Sequence, residues 1–216
     1  SARILVSGRN ADNRGHQCGG FTVAWQGTSG NDFIHGGTSI WEGIRAVAPD
    51  ATLSVDGSAA DAASHDVAIV VIGEKPYAEG MGDLRGVETI GAGSAFGGKN
   101  LRLAPYANSL ELATLHPEDL ATIRAIRAKG IPVVTVLVSG RPLVVNRELA
   151  ESAAFVAAWL PGSEGAGVAD VLFGEHDFQG RLSFAWPATG EGATAEARAR
   201  EALFPRGYGL SYGTAR

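Results

Sequence analysis

A cluster of carboxylates follows an unbroken apolar run in the middle of the chain. Residues 67–72 read VAIVVI, which is typical of a buried parallel strand. Glu74, Glu79 and Asp83 come directly after it, among glycines and one tyrosine. Open α/β sheets bind their ligands at the carboxyl ends of strands, because the loops leaving those ends form a crevice. Carboxyl groups placed there can transfer protons, although most surface carboxylates are only solvated charges, and both interpretations stay open on these residues alone.

An aromatic pair could contact a sugar. Phe21 and Trp25 are four residues apart in the segment CGGFTVAWQG at residues 18–27, so a helical turn would project both rings to one side. Flat aromatic faces suit sugar rings, whose axial C–H bonds form an apolar surface. The alternative is core packing, since large aromatic side chains usually fill protein interiors.

Strands and helices must position these residues, and the sequence predicts that the two alternate. Short apolar runs predict the strands, and Thr38 is a suitable N-cap for the first predicted helix. The predicted strands span residues 4–7, 51–55, 67–72, 132–138, 153–160 and 181–185, and the predicted helices span residues 40–47, 58–64, 117–129, 146–151 and 163–172. This alternation predicts one α/β domain, a three-layer α/β/α sandwich with a six-stranded, mostly parallel sheet.

Two long segments interrupt the alternation, residues 8–37 and 80–116. Both are rich in glycine and small polar residues and show little periodicity. Loops longer than about 12–15 residues in a compact domain are usually functional or disordered. Because both segments leave the carboxyl ends of predicted strands, we expect them to rise on the same edge of the sheet.

Composition excludes several classes of function. The chain has 216 residues and a net charge of −5, and no basic stripe of a nucleic-acid-binding protein. No apolar stretch approaches the roughly 20 residues that a membrane span needs. Cys18 is the one cysteine, and the five histidines lack metal-ligand spacing. The glycines of residues 91–98 lack the spacing and the preceding strand of a dinucleotide loop. We therefore expect no metal and no cofactor.

Several motifs occur together in an order that is typical of one enzyme family. They are CGGFTVAWQG (18–27), GEKPYAEGMGD (73–83), VSGRP (138–142), AAWLPGSEG (157–165), GRLSF (180–184) and FPRGYGL (204–210). The chain resembles the second domain of family 3 glycoside hydrolases, in the branch of exo-1,3/1,4-β-glucanases, β-glucan glucohydrolases and β-glucosidases. The resemblance covers nearly the whole chain and implies a six-stranded α/β sandwich, in agreement with the strand count above.

The resemblance also implies a division of catalytic labour. Retaining hydrolysis needs two carboxyl groups about 5–5.5 Å apart, a nucleophile and a general acid/base. In this family the nucleophile is an aspartate of a preceding (β/α)8-type barrel domain, which these residues do not include, and the acid/base is a glutamate of the second domain. The segment PYAE at residues 76–79 matches the family's proline-tyrosine-x-glutamate and assigns that role to Glu79. Glu74 is then either a structural acid or one that supports the site residues without touching the substrate. Phe21 and Trp25 correspond to an aromatic pair that grips the sugar beyond the scissile bond, although many members have tryptophan at the first position.

The resemblance thus predicts a domain of a retaining, exo-acting β-glucosidase or β-glucan glucohydrolase. Its partners are a β-glucan or β-glucoside oligosaccharide and a barrel domain of the same enzyme, and the chain alone is expected to be inactive. The alternative is a non-catalytic module that binds carbohydrate or a protein. No secretory signal precedes the first predicted strand, and the family implies a periplasmic or secreted protein.

Overall fold

A computed structural model describes residues 2–78, 88–90, 101–103, 109–190 and 201–213 of the chain. The described strands are β1 Ile4–Ser7, β2 Thr52–Leu53, β3 Val67–Gly73, β4 Glu88–Ile90, β5 Leu101–Leu103, β6 Val133–Val138, β7 Ala154–Trp159, β8 Trp186–Pro187 and β9 Ala202–Phe204. The described helices are α1 Arg14–Cys18, α2 Ile40–Val47, α3 Leu112–Leu115, α4 Pro117–Arg127, α5 Asn146–Ala150 and α6 Gly165–Leu172.

Five of these strands form a parallel central sheet in the order β2-β1-β3-β6-β7. The β4–β5 and β8–β9 pairs are separate and antiparallel. The predicted α/β class and parallel sheet are therefore confirmed. None of the described helices is both long enough and apolar enough to cross a bilayer.

The central strand β3 shows why the sheet is buried on both faces. Val70 and Ile72 point into a core that includes Ile123 and Ile126 of α4. Val71, between them, points into the opposite core, which α2 and α6 cover. Successive side chains of a strand face opposite sides, so an unbroken apolar run is what a sheet between two helical layers requires.

Two adjacent residues cap two different helices. Ser39, rather than the predicted Thr38, is the N-cap of α2, and it forms a capping box with Glu42. The Ser39 hydroxyl accepts from the Glu42 amide at 3.1 Å, and the Glu42 carboxylate accepts from the Ser39 amide at 2.7 Å. The Thr38 hydroxyl instead accepts from the amide of Ala166 in the first turn of α6, at 2.8 Å. This arrangement ties the two helices together at the carboxyl edge of the sheet.

Two predicted elements were wrong. Among the described residues the central sheet has five strands rather than six, because residues 181–185 form no strand and the following β8 pairs with β9 instead. The indole of Trp186 in β8 donates to the Leu143 carbonyl at 2.8 Å, and this contact anchors the segment over α4 and the sheet. Residues 58–64 form turns rather than a helix. The carboxylates of Asp56 and Asp61 accept from backbone amides two residues on, which competes with helical hydrogen bonding.

Candidate active site

The carboxyl end of β3 leads directly into a buried ion pair. Glu74 is 4% exposed, and its amide donates to the Val138 carbonyl at 3.0 Å, so pairing with β6 continues past the end of β3. Its Oε1 accepts from Arg141 Nε at 3.0 Å and from Nη2 at 2.9 Å, and its Oε2 accepts from the Tyr77 hydroxyl at 3.2 Å. Burial raises the pKa of Glu74, and the charge of Arg141 opposes that rise. Donors therefore contact both carboxylate oxygens of Glu74, and its role as a structural acid stays a prediction.

Arg141 connects three loops at this edge. Its guanidinium lies over the Tyr77 ring, 5.5 Å from the ring centroid, while it also binds Glu74. Nη2 donates to the carbonyl of Ser109, a residue of the second long segment, at 2.9 Å. The planar guanidinium serves these contacts together, which a lysine ammonium could not do with the same geometry.

A second arginine pair holds the last residue of β3. Arg9 follows β1, and its Nε and Nη2 donate to the Asp119 carboxylate at 3.0 and 3.1 Å. Arg9 also donates to the Gly73 carbonyl, and the Gly73 amide donates to Asp119 at 3.1 Å. Burial raises the pKa of Asp119 to about 7, while Arg9 acts in the opposite direction. Sequence reasoning missed this pair, because Arg9 and Asp119 are 110 positions apart and no motif links them.

The first long segment packs against the residues that follow β3. A Cβ on Gly20 would lie 2.2 Å from the Tyr77 carbonyl oxygen, and one on Gly27 would lie 2.4 Å from Pro76 Cβ. Only residues without a side chain allow these approaches. The Gln26 side-chain carbonyl accepts from the Ala78 amide at 2.8 Å. The first long segment thus lies beside residues 76–78, at the carboxyl end of β3.

Phe21 and Trp25 do not lie on a helical turn. Residues 21–26 form bends and a turn, and Phe21 has a positive φ of 54°. The Phe21 amide donates to the Trp25 carbonyl at 2.9 Å, which closes the segment into a tight loop. Phe21 is 66% exposed, so core packing does not explain it, whereas Trp25 is half-buried. The spacing was misread because Gly19 and Gly20 before the pair favour a loop.

A cleft of about 240 Å³ opens between these loops. Its lining includes His16, Phe21, Glu74, Lys75, Tyr77, Ser139 and Leu160. His16 is 5% exposed, and its Nε2 lies 2.9 Å from the Ser29 hydroxyl. Burial lowers the pKa of His16 to about 4, which makes the ring neutral at pH 7. The cleft therefore combines an exposed aromatic face with polar groups, a lining that suits a small polar ligand.

Glu79 and Asp83 lie outside the described residues, so their places in the site stay predictions. Ala78, the residue before Glu79, is 6% exposed and lies at the carboxyl edge of the sheet. No group of three or more His, Cys, Asp or Glu side chains that could hold a metal ion occurs within the described ranges.

The chain matches a family model over residues 1–212, that of the glycosyl hydrolase family 3 C-terminal domain. It belongs to glycosyl hydrolase family 3. A lysosomal beta glucosidase of Dictyostelium discoideum is 31% identical over 98% of this family 3 chain and 26% of its own length. A periplasmic beta-glucosidase of Salmonella typhimurium is 32% identical over 54% of the chain and 18% of its own length.

Solved structures agree with this assignment. An exo-1,3/1,4-beta-glucanase from a Pseudoalteromonas species is 41% identical, with a TM-score of 0.76 over 98% of this chain and 25% of its own. A beta-glucosidase from Listeria innocua, at 23% identity and a TM-score of 0.65, shares the fold. This family 3 chain thus spans about a quarter to a third of these solved chains.

Proposed function

We propose that this family 3 domain supplies the general acid/base of a retaining, exo-acting β-glucosidase or β-glucan glucohydrolase, and that Glu79 is that residue. The observation that carries the proposal is the fixed segment Glu74–Ala78. It leaves the carboxyl end of β3 beside the Phe21 cleft, and Glu79 is the next residue in the chain. The names of the relatives, which include β-glucosidases and an exo-1,3/1,4-β-glucanase, support the substrate class.

The chemistry needs a carboxyl group that changes its protonation state during the reaction. As acid, Glu79 protonates the oxygen of the leaving sugar while a nucleophile attacks the anomeric carbon. As base, it then takes a proton from the water that hydrolyses the glycosyl-enzyme. A bound sugar and the negative nucleophile both disfavour the charged form of Glu79, so its pKa is highest when the acid is needed.

The aromatic loop supplies sugar contacts in this proposal. Phe21 presents an exposed ring on the rim of the cleft, and Trp25 closes the same loop through its backbone. An aromatic face next to the acid/base holds the sugar on the leaving-group side of the scissile bond. The exposure of Phe21 also favours a second candidate function, a sugar-binding module without catalysis.

A barrel domain completes the active site in this proposal and contributes the aspartate nucleophile. The chain assayed alone is then inactive, because covalent and proton-transfer steps act as a unit. The periplasmic and lysosomal β-glucosidases among the relatives support a periplasmic or secreted enzyme.

The test is Glu79→Ala in a two-domain enzyme that contains this chain. Loss of a general acid should lower kcat/KM for β-linked oligosaccharides by about 10²–10⁴-fold. Aryl glucosides with good leaving groups need no protonation in the first step, so their glycosylation should be affected far less. Glu175→Ala is the matched control, because Glu175 is exposed and follows the distant end of α6. Unchanged hydrolysis of oligosaccharides by the Glu79 variant would contradict the assignment, and sugar binding without any turnover by the unmodified enzyme would favour the binding module.

A further inference from the structure

We propose that Arg141, Glu74 and Gln26 are positioning residues for the acid/base, acting through the segment Glu74–Ala78. The inference rests on the proposed function, since it concerns how Glu79 is presented to the substrate. None of the three needs to contact the sugar. They fix the two ends of the five residues that join β3 to Glu79.

The first end is fixed by the ion pair. Glu74 is buried, its amide extends the pairing of β3 with β6, and both its oxygens accept hydrogen bonds. Arg141 reaches it with two nitrogens and stacks on the Tyr77 ring within the same segment. The Asn10 side-chain amide also donates to the Glu74 carbonyl, at 3.3 Å. Side chain and backbone at this end are therefore held from three directions.

The second end is fixed by the aromatic loop. The Gln26 side-chain oxygen accepts from the Ala78 amide at 2.8 Å, one residue before Glu79. Gly20 and Gly27 lie too close to Tyr77 and Pro76 to tolerate a Cβ, so the loop covers the segment along its length. Because Gln26 lies on the loop that presents Phe21, one set of contacts fixes the acid/base segment relative to the proposed sugar contact.

These contacts serve position rather than stability. Replacing a buried ion pair with apolar side chains is often neutral or stabilising, so stability alone does not explain the Glu74–Arg141 pair. A reacting group displaced by about 1 Å can cost about 10²-fold in rate. A backbone hydrogen bond adjacent to the acid/base is a direct means to prevent such a displacement.

The charges of the pair also bear on the proposed acid/base, which is five residues from Glu74 in the chain. An unpaired arginine would favour the ionised form of a neighbouring carboxyl group and lower its pKa, which is the wrong direction for a general acid. Glu74 neutralises Arg141, so the pair can hold the segment with no net charge. Glu74→Gln keeps the shape of the side chain and removes its negative charge from Arg141.

The experiment compares variants of the two-domain enzyme on an oligosaccharide and on an activated aryl β-glucoside. Gln26→Leu and Arg141→Lys should lower kcat/KM for the oligosaccharide by about 10–100-fold, with a much smaller loss on the aryl glucoside. Glu74→Gln should also move the basic limb of the pH profile to lower pH by about half a unit or more. The double variant Glu74→Gln with Arg141→Gln should return that limb to its wild-type position.

Controls separate positioning from folding. Arg124→Gln breaks an ion pair with Glu151 at the opposite edge of the sheet. It should leave the ratio of the kcat/KM values for the two substrates unchanged. If the role were purely structural, kcat/KM would fall equally for both substrates, in proportion to the folded fraction. The basic limb of the pH profile would then stay where it is in wild type. Either result in the Gln26 and Glu74 variants would overturn the inference.

Glu79→Gln, assayed in parallel, separates this inference from the proposed function. If it shows no dependence on the leaving group, the acid/base assignment fails. If it shows that dependence while the Gln26, Glu74 and Arg141 variants do not, only the positioning role fails. If Arg141→Lys does not fold, Gln26→Leu and Glu74→Gln still decide the question.

Discussion

Gly73→Ala is a direct test of how β3 ends, because two features of the structure, the backbone conformation and a close contact, each require glycine at this position. Gly73 has a φ of +144°, which side-chain-bearing residues rarely adopt. A Cβ at this position would lie 1.8 Å from the carbonyl oxygen of Val138. That oxygen accepts the Glu74 amide at 3.0 Å, so the substitution must displace the contact that continues the sheet into the site.

The expected cost follows from the strain and from the hydrogen bonds that move. The backbone conformation contributes about 1–3 kcal/mol. Up to three hydrogen bonds, to Asp119, Arg9 and Val138, contribute about 0.5–1.5 kcal/mol each. If all three bonds are displaced, the free energy of unfolding should fall by about 2.5–7.5 kcal/mol, a large part of the roughly 5–15 kcal/mol that stabilises a domain.

The assay is urea unfolding at pH 7, with Gly130→Ala as the matched control. Gly130 also has a positive φ, 81°, but apart from its two chain neighbours no described residue has an atom within 4 Å of the position its Cβ would take. Its cost should be the conformational penalty alone, about 1–2 kcal/mol. If Gly73→Ala destabilised the protein no more than Gly130→Ala does, the described end of β3 would be wrong.

Two further predictions concern buried titratable groups. Glu148 is 1% exposed, and its carboxylate oxygens have no hydrogen-bond partner from another residue within the described chain. Burial therefore raises its pKa. Glu148→Gln should raise the free energy of unfolding by about 1–3 kcal/mol at pH 7. This gain should shrink as the pH falls from 7 to about 3, because the wild-type carboxyl then becomes protonated in the unfolded state as well. An equal gain at both pH values would contradict the argument. The lowered pKa of His16, about 4, gives stability that is present above pH 6.5 and lost as the pH falls from 6.5 to 4. In urea unfolding across that range, His16→Asn should lose up to about 3 kcal/mol less of its free energy of unfolding than wild type does. His35→Asn is the control, because His35 is exposed. If the free energy of unfolding of His16→Asn depended on pH as steeply as that of wild type, the argument would be contradicted.

The sequence predicts those parts of the fold whose cause is local. The strand β3 is an unbroken apolar run, and β6 is apolar except for Thr135, because both faces of each strand are buried. Helix α4 has proline in its first turn and basic residues in its last. Residues 181–185 failed as a strand, because a short apolar run becomes a strand only where a partner strand lies beside it. Thr38 was misassigned because its hydroxyl caps α6, more than 120 residues away in sequence.

In the candidate site, too, the sequence predicts the features that have a local cause and misses those that depend on distant residues. The position of Glu74 at the end of β3 follows from the apolar run before it. The Arg9–Asp119 pair joins residues that are 110 positions apart, so no motif could reveal it. The tight Phe21 loop depends on a positive φ and on the close approach of Gly20 to Tyr77, which residue spacing does not report.

The most direct measurement of the central claim is the product that Glu79→Ala forms with azide in the two-domain enzyme. Azide is already an anion, so it can attack a glycosyl-enzyme without a general base. If Glu79 is the acid/base and the nucleophile lies in the barrel domain, azide attacks on the face opposite the enzyme–sugar bond. NMR should then show β-glucosyl azide, together with faster turnover of the aryl glucoside. An α-glucosyl azide would mean that the variant lacks the nucleophile instead, and the absence of any azide product or rate increase would contradict the assignment of Glu79.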